Sequence, residues 1–126
     1  MRMRPLAEFP AEARRGVVGG LTDIDDTLTT DGRLTADAYA ALAALQEAGL
    51  FVAAITGRPA GWCDHIARMW PVDGVVGENG AFWFRYDHAA RRMERWFARD
   101  AGVRAADRVR LAALGERILA AVPGSA

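Results

Sequence analysis

The most informative part of the sequence is an apolar run that ends in closely spaced acidic residues: Val17-Val18-Gly19-Gly20-Leu21-Thr22-Asp23-Ile24-Asp25-Asp26-Thr27-Leu28. Its first part, Val17 to Asp23, predicts a β-strand, because short apolar runs bounded by turn residues are typical of strands. In a strand, residues two positions apart point to the same face, so Asp23 and Asp25 are expected to project together. The sequence therefore predicts a pair of carboxylates at a strand end.

This carboxylate pair has two interpretations. Two like charges in one small space are tolerated only if a cation lies between them or one carboxyl keeps its proton. Both conditions suit a phosphoryl-transfer enzyme that uses a nucleophilic aspartate, an acid/base aspartate and Mg²⁺. The simpler interpretation is a solvated acidic turn, since aspartate is common in turns.

A second strand-like run, Phe51 to Ile55, leads into Thr56-Gly57-Arg58. The Thr56 hydroxyl can donate to a phosphate oxygen, and Gly57 lets backbone N–H groups approach an anion closely. Arg58 has two interpretations, a cation that binds phosphate and a surface arginine at the start of a helix. The residue types after this strand thus suit the same chemistry as the acidic pair.

A third run, Gly74 to Gly77, is followed by Glu78-Asn79-Gly80, and Asn-Gly by itself indicates a tight turn. Helices are expected from about Thr35 to Ala48, with Thr35 as N-cap and Gly49 as terminator, and from about Ala60 to Trp70. The β-α-β-α-β alternation predicts a parallel sheet whose ligands bind beyond the carboxyl ends of the strands. The side chains expected at that edge are Asp23, Thr56 and Asn79.

Past Gly80 the pattern changes to short aromatic strands. The runs Ala81 to Tyr86 and Arg92 to Phe97 predict an antiparallel hairpin, in which the aromatic residues are typical of cross-strand packing. A stacking platform for nucleic acid is the weaker interpretation. From about Arg104 to Val122 the spacing predicts a helix with one apolar face. That face, expected to pack, consists of Leu111, Leu114, Ile118 and Val122.

Composition predicts a cytoplasmic globular protein. The 126 residues are 52% hydrophobic and 25% charged, which disfavours disorder, and the 16 basic and 16 acidic residues cancel, which gives no reason to expect nucleic acid as a partner. Cys63 is the only cysteine, so an intrachain disulfide is excluded and a reducing compartment is the default. No apolar run approaches the ~20 residues of a membrane span, so no membrane association is predicted.

In this order and spacing, the three strand ends resemble the haloacid dehalogenase-like (HAD) phosphohydrolases. The first motif of that family matches Asp23-x-Asp25-x-Thr27-Leu28, and the second matches the strand that ends in Thr56-Gly57-Arg58. The Glu78-Asn79-Gly80-Ala81 turn resembles the Cof-type (IIB) branch. The resemblance implies an α/β fold with a Rossmann-like parallel sheet, in which residues 16–100 form the N-terminal half of a HAD core. Residues 1–15 would be an N-terminal arm, and residues 101–126 the first helix of a cap domain.

The resemblance also implies an activity, a Mg²⁺-dependent phosphatase that forms an aspartyl-phosphate. Its substrate would be a small-molecule phosphomonoester, and sugar phosphates are the usual class in this branch. Asp23 would be the nucleophile and Asp25 the acid and then the base, with Mg²⁺ bound by Asp23 and the backbone carbonyl of Asp25. A free aspartate titrates near pH ~3.9, so the acid role requires a crowded site that keeps Asp25 neutral. Asp26 is expected to anchor the loop.

The residues implied to bind substrate are Thr56, Gly57, Arg58 and Asn79. The family pattern continues with a lysine and a Gly-Asp-rich motif that completes the Mg²⁺ site, yet this sequence has neither. The preferred explanation is that the chain is the N-terminal portion of a longer enzyme. The alternative is a short natural protein that forms a homodimer to cover an exposed sheet edge.

Three other functions are alternatives to the hydrolase. A calcium-binding loop that starts at Asp23 is disfavoured, because Leu28 and Leu34 stand at its sixth and twelfth positions, where a glycine and a glutamate are needed. Two alternatives stay open. One is a catalytically inactive module that binds phosphate or metal. The other is a receiver-like signalling domain, which is disfavoured because Gly77-Glu78 stands where the phosphoacceptor aspartate should close the third strand.

Overall fold

The computed structural model describes residues 5–125, so residues 1–4 of the predicted arm and residue 126 lie outside the described residues. The chain divides into two compact units, the first ending at Trp96 and the second beginning at Phe97. The predicted boundary between core and cap after residue 100, and the identity of the last helix as part of a cap, stay predictions.

The first unit is built around a five-stranded sheet with the strand order β1-β4-β5-β6-β7. In chain order the strands are β1 (Gly19–Asp23), β2 (Thr29–Thr30), β3 (Arg33–Leu34), β4 (Phe51–Ile55), β5 (Gly74–Gly77), β6 (Phe82–Asp87) and β7 (Arg92–Phe97). Strands β1, β4 and β5 are parallel neighbours, whereas β6 pairs antiparallel with β5. The predicted α/β fold with its β-α-β-α-β order is confirmed, and the predicted hairpin of β6 and β7 extends the same sheet.

The helices are α1 (Ala11–Arg14), α2 (Ala36–Glu47), α3 (Ala60–Met69) and α4 (Ala101–Ala121). Helices α2 and α3 begin and end close to their predicted limits, whereas α1 lies in the predicted arm, where no helix was expected. Thr35 caps α2, because its side chain accepts a hydrogen bond from the backbone N–H of Ala38 at 3.2 Å. Gly49 has a φ of 78°, a left-handed conformation that suits the residue after a helix. Both cap predictions are confirmed.

The loop after β1 contains more structure than the sequence indicated. Within residues 27–34, which connect β1 to α2, β2 and β3 form a two-residue antiparallel ladder. Its turn is made by Asp31 and Gly32, with φ values of 50° and 70°. Because positive φ at both central positions matches the twist of a tight hairpin, this short pair can form without long flanking strands.

The parallel strands end level with one another at one edge of the sheet. Asp23 is in register with Ile55, and Ile55 is in register with Val76. Helix α2 packs on β4, and α3 packs on β5 and β6. The Tyr39 hydroxyl of α2 donates to the backbone carbonyl of Met69 at the end of α3, 3.1 Å away. The residues that follow the three strands are therefore brought to one place above a shared core.

The core lies between this sheet and its helices. Its buried side chains include Ile24, Leu42, Val52, Cys63, Ile66, Val75, Phe82 and Phe84. Strand β5 approaches its neighbours so closely that only glycine fits at both of its ends. A β-carbon on Gly74 would collide with the Trp83 ring, and one on Gly77 with the Phe82 ring and the Cys63 sulfur.

Helix α4 belongs to the second unit and begins three residues earlier than predicted. Its N-cap is Asp100, whose side chain accepts from the backbone N–H of Val103 at 2.9 Å. The predicted packed face is wrong for this chain, since Leu111, Leu114, Ile118 and Val122 are each 46–67% exposed. Helical spacing decides which residues share a face, but only the rest of the structure decides whether that face is covered.

Strand β1 lies at one edge of the sheet. The expectation that a homodimer covers such an edge stays a prediction. Across residues 5–125, no helix combines the length and the apolar character needed to cross a lipid bilayer.

Candidate functional site

Asp23 is the last residue of β1 and is exposed at the carboxyl edge of the sheet. The Thr27 hydroxyl donates a hydrogen bond to its Oδ2 at 3.3 Å. Asp23 thus lies at the predicted strand end, where its other oxygen faces no hydrogen-bond donor within the described residues. A carboxylate presented in this way is accessible to an approaching phosphorus atom or cation.

The chain turns sharply directly after Asp23. The buried carbonyl of Ile24 accepts hydrogen bonds from the backbone N–H groups of Leu28 and Thr29, each at 3.0 Å, and from the Thr29 hydroxyl at 3.0 Å. Asp26 has a φ of 58°, and its backbone N–H donates to the Thr29 hydroxyl at 3.3 Å. Asp26 therefore takes part in loop geometry through its backbone.

Asp25 lies within this turn and outside the strand. Asp25 was expected to point to the same side as Asp23 because side chains alternate along a strand. That rule does not apply to a residue in a turn. Arg58 contacts the Asp25 carboxylate: Nε lies 3.2 Å from Oδ1 and 3.1 Å from Oδ2, and one terminal guanidinium nitrogen also bonds Oδ1. The pair joins the loops after β1 and β4. Arg58 is thus ion-paired at this edge, just before the start of α3, and its role as a phosphate-binding cation stays a prediction.

The Arg58 pair sets the charge state of Asp25. Hydrogen bonding by the guanidinium lowers the pKa of Asp25 below its usual value, and the same contact raises the pKa of Arg58. The Asp25 side chain is also 49% exposed, so burial does little to favour its neutral form. The expectation that crowding keeps Asp25 protonated is therefore wrong for these surroundings. Movement of Arg58 toward another anion would weaken the contact that lowers the Asp25 pKa.

Thr56 and Asn79 are tied together by backbone hydrogen bonds. The Asn79 N–H donates to the Thr56 carbonyl at 3.1 Å, and the Glu78 N–H donates to the Arg58 carbonyl at 3.2 Å. The Thr56 hydroxyl accepts from the Arg58 N–H at 3.1 Å, which leaves its own hydrogen available as a donor. Thr56 is only 2% exposed, so its evident role is to order this loop.

Gly57 lies against the side chain of Asn79. A β-carbon on Gly57 would be 3.2 Å from Asn79 Oδ1, which is tighter than most contacts of that kind. The structure thus brings together all four residues predicted to bind substrate, Thr56, Gly57, Arg58 and Asn79. Their roles in binding stay predictions.

The turn after β5 has a strained backbone. Glu78 and Asn79 have φ values of 46° and 55°, in the left-handed region, and Gly80 has a φ of 100°. Asparagine tolerates this conformation well, but glutamate does not, at a cost of about 1 kcal/mol or more. Strain of this kind is typical of functional loops whose surroundings fix an unusual shape.

Two residues of α3 belong to this site although the sequence did not single them out for it. The ring of Trp62 lies under the Arg58 guanidinium, whose central carbon is 4.7 Å from the ring centre. The Cys63 thiol donates to the Arg58 carbonyl at 3.5 Å. Burial raises the pKa of Cys63 to about 11, so the thiol stays protonated near neutral pH. Because Arg58 precedes α3, the spacing rule for helix neighbours does not apply to it, and the sequence held no clear signal for this contact.

The donor set at this edge fits a hard cation such as Mg²⁺. The two predicted ligands, the Asp23 carboxylate and the Asp25 backbone carbonyl, are both oxygen donors, and Mg²⁺ is usually bound by one or two carboxylates together with substrate phosphate and water. Among residues 5–125, no cluster of three or more His, Cys, Asp or Glu side chains is placed to hold a metal ion. The described residues thus offer part of an oxygen-ligand shell.

A family model places this chain among known proteins. The model, described as haloacid dehalogenase-like hydrolase, matches residues 21–95, which is more than half of the sequence. The chain belongs to the haloacid dehalogenase-like hydrolase family. The resemblance inferred from the motifs is confirmed at that level. No curated protein matches the sequence significantly.

Several solved structures are similar to part of the chain. A hypothetical protein from Geobacillus kaustophilus is 29% identical, with a TM-score of 0.47, over 54% of this chain and 27% of its own. A HAD-superfamily phosphatase from Bacteroides thetaiotaomicron is 25% identical, with a TM-score of 0.49, over 61% and 29%. A sugar phosphatase of HAD subclass IIB is 30% identical, with a TM-score of 0.43, over 52% and 27%. The chain spans less than a third of each of these proteins.

Proposed function

We propose that the protein is a Mg²⁺-dependent phosphatase of sugar phosphates that works through an aspartyl-phosphate on Asp23. The main support is the convergence of Asp23, the Asp25–Arg58 pair and the Thr56 and Asn79 loops at the carboxyl edge of three parallel strands. Membership of the hydrolase family supports the reaction class. The preference for sugar phosphates rests on the resemblance of Glu78-Asn79-Gly80-Ala81 to the Cof-type branch.

The first step forms a bond between an Asp23 oxygen and the phosphorus of the substrate. The bond from phosphorus to the leaving oxygen breaks, and Asp25 gives that oxygen a proton. Water then attacks the phosphorus of the aspartyl-phosphate while Asp25 takes back a proton, which frees phosphate and restores Asp23. The hydrogen bond from Thr27 fixes the Asp23 carboxylate for attack.

Arg58 has two partners in this scheme. Its planar guanidinium can bind two oxygens at once, and phosphate matches that geometry as well as a carboxylate does. A bound phosphoryl group would compete with Asp25 for the same donors. That competition weakens the contact that lowers the Asp25 pKa, and so favours the protonated form that the acid step needs.

Mg²⁺ bound by Asp23 and the backbone carbonyl of Asp25 would offset the negative charge of the phosphoryl oxygens and of Asp23. Without a cation, two anions would have to approach each other. Chelation of divalent ions is therefore expected to stop turnover.

The proposal is tested by measuring phosphate release from glucose 6-phosphate with Mg²⁺ and with excess chelator. The 126-residue chain is assayed beside the product of the gene's full reading frame. We expect Mg²⁺-dependent release at least from the latter, together with an acyl phosphate that hydroxylamine cleaves. Equal release in chelator, or no release from either protein, would contradict the proposal.

The inactive module is the second candidate. It is favoured by the absence of lysine, because the family's phosphate-neutralising residue has no counterpart in this sequence. A module of this kind would bind phosphate with Mg²⁺ in a calorimetric titration but release none from a phosphomonoester.

A further inference from the structure

Trp62 lies next to the proposed phosphate site and has much of its surface free. The Arg58 guanidinium stacks over the Trp62 ring and also hydrogen-bonds to the Asp25 carboxylate. The guanidinium therefore contacts both the indole and the carboxylate. Such stacking is a favourable cation–π contact that restricts the guanidinium. Trp62 is nevertheless 54% exposed.

An open groove of about 390 Å³ lies along the first turns of α3, lined by Pro59, Gly61, Trp62 and His65. Arg58 is not part of its lining, so the groove involves a part of Trp62 that the guanidinium does not cover. The volume lies within the ~300–1,000 Å³ of small-molecule sites. The lining contains aromatic, proline and glycine surface without carboxylate or guanidinium groups, which suits an uncharged ring.

The order of contacts decides which part of a substrate would reach this groove. In phosphoryl transfer the nucleophile and the leaving oxygen lie on opposite sides of phosphorus. The general acid must lie within hydrogen-bond reach of the leaving oxygen. If Asp23 attacks and Asp25 protonates, the leaving group therefore departs on the Asp25 side. Asp25 contacts Arg58, and Arg58 contacts Trp62, so the carbon skeleton extends toward the groove.

We propose that Trp62 and His65 form the subsite that binds the sugar ring of the leaving group. This inference rests on the proposed function. The indole stacks on the C–H face of the ring, and the His65 imidazole hydrogen-bonds to a hydroxyl group. Trp62 is then a specificity-determining residue, because it contacts the leaving group and not the transferred phosphoryl.

The kinetic test compares glucose 6-phosphate with methyl phosphate, which has no ring to stack. In the active protein, Trp62→Ala is expected to lower kcat/KM for glucose 6-phosphate roughly tenfold more than for methyl phosphate, mainly through KM. Trp62→Phe keeps a flat ring and should restore most of the difference. An equal loss for both substrates would mean a general effect on Arg58 or folding, and would overturn the subsite.

Trp96→Ala is the matched control, because Trp96 is 61% exposed and lies on β7, outside the groove. We expect it to leave the ratio of the two kcat/KM values unchanged. If Trp96→Ala changed that ratio as Trp62→Ala does, the preference could not be assigned to the groove, and the proposal would fail.

A binding measurement separates this inference from the proposed hydrolase function. In ¹⁵N spectra of the four tryptophan indoles, glucose 6-phosphate should shift the Trp62 signal, whereas methyl phosphate should shift it much less and Trp96 should respond to neither. A Trp62 shift without any hydrolysis would retain the subsite and reject the enzyme. Hydrolysis without a Trp62 shift would retain the enzyme and reject the subsite.

Discussion

The parallel and antiparallel halves of the sheet differ in the kinds of residue that they contain and in where those residues lie. In the parallel half, strands β1, β4 and β5 end level with one another, and polar residues follow each end. In the antiparallel half, β6 and β7 contain mainly aromatic and arginine residues that contact one another or α3. The Phe82 and Phe84 rings lie 4.3 Å apart, and Arg68 of α3 stacks on Tyr86 at 4.5 Å.

This difference follows from strand direction. Parallel strands place all their carboxyl ends at the same edge, so residues distant in sequence are collected into one site. An antiparallel hairpin sends successive strand ends to opposite edges and therefore collects none. The parallel half is expected to determine chemistry, and the antiparallel half to determine stability.

The sharpest way to break this comparison is Asp23→Asn. Removing the nucleophile should lower phosphate release by about a thousandfold or more in the active protein. Asp26→Asn is the matched control, because asparagine also tolerates the positive φ at that position. It should retain most activity. If Asp23→Asn released phosphate at the wild-type rate, the claim that the parallel half determines the chemistry would be wrong.

Cys63 lies near Gly77 and Phe82, where the two halves of the sheet meet, and its titration tests the stability of that junction. Burial raises its pKa to about 11 from the usual 9.0, so the unfolded chain loses the thiol proton first as pH rises. The contribution of Cys63 to stability should therefore be constant below about pH 9 and fall between about pH 9 and 11, by up to about 3 kcal/mol. Urea unfolding measures this fall, and Cys63→Ala should lack it. The same pH dependence in Cys63→Ala would assign it to another group.

Gly77→Ala tests the same junction through packing. Its β-carbon would meet the Phe82 ring and the Cys63 sulfur, and we expect a loss of about 1–3 kcal/mol in unfolding free energy. Gly20→Ala, in β1, is the control, because no atom lies within 4 Å of its added carbon. Similar urea midpoints for the two variants would show that the close approach at Gly77 is relieved at little cost.

The smallest effect is expected from Asp64→Asn, which weakens the link between α3 and the antiparallel half of the sheet. Asp64 bonds Arg68 at 2.6 Å and Arg95 at 3.2 Å, and thereby links α3 to β7. Both pairs are partly exposed, so the melting temperature should fall by only a few degrees, and less in high salt. Phosphate release should not change. A loss of activity comparable to that of Asp23→Asn would contradict the claim that the antiparallel half determines stability and not chemistry.

Much of the first unit could be predicted from local sequence. The strands β4 and β5 and the caps of α2 follow from short apolar runs and from Thr35 and Gly49, whose preferences act within a few neighbouring residues. The residues of the candidate site were likewise located by their positions after strands. Local signals suffice for these features because each depends on contacts close in the chain.

The remaining features depend on partners that are far apart in sequence. Arg58 and Asp25 are separated by 33 positions, so neither their ion pair nor its effect on the Asp25 pKa could be inferred from either motif. The exposure of the apolar face of α4 could not be predicted for the same reason. A periodic pattern shows which residues share a face, but it does not specify which distant segment covers that face.

Local patterns were enough to infer the family, the alternation of β1, α2, β4, α3 and β5, and the polar residues that follow these strands. The folded chain was needed to reveal that Asp25 lies in a turn and pairs with Arg58. It also revealed that Trp62 stacks on that arginine and that the hairpin joins the sheet. The two groups differ in the distance along the chain over which the interactions act. Backbone preferences and apolar periodicity act over a few residues, whereas charge pairing and packing depend on which distant segments the sheet brings together.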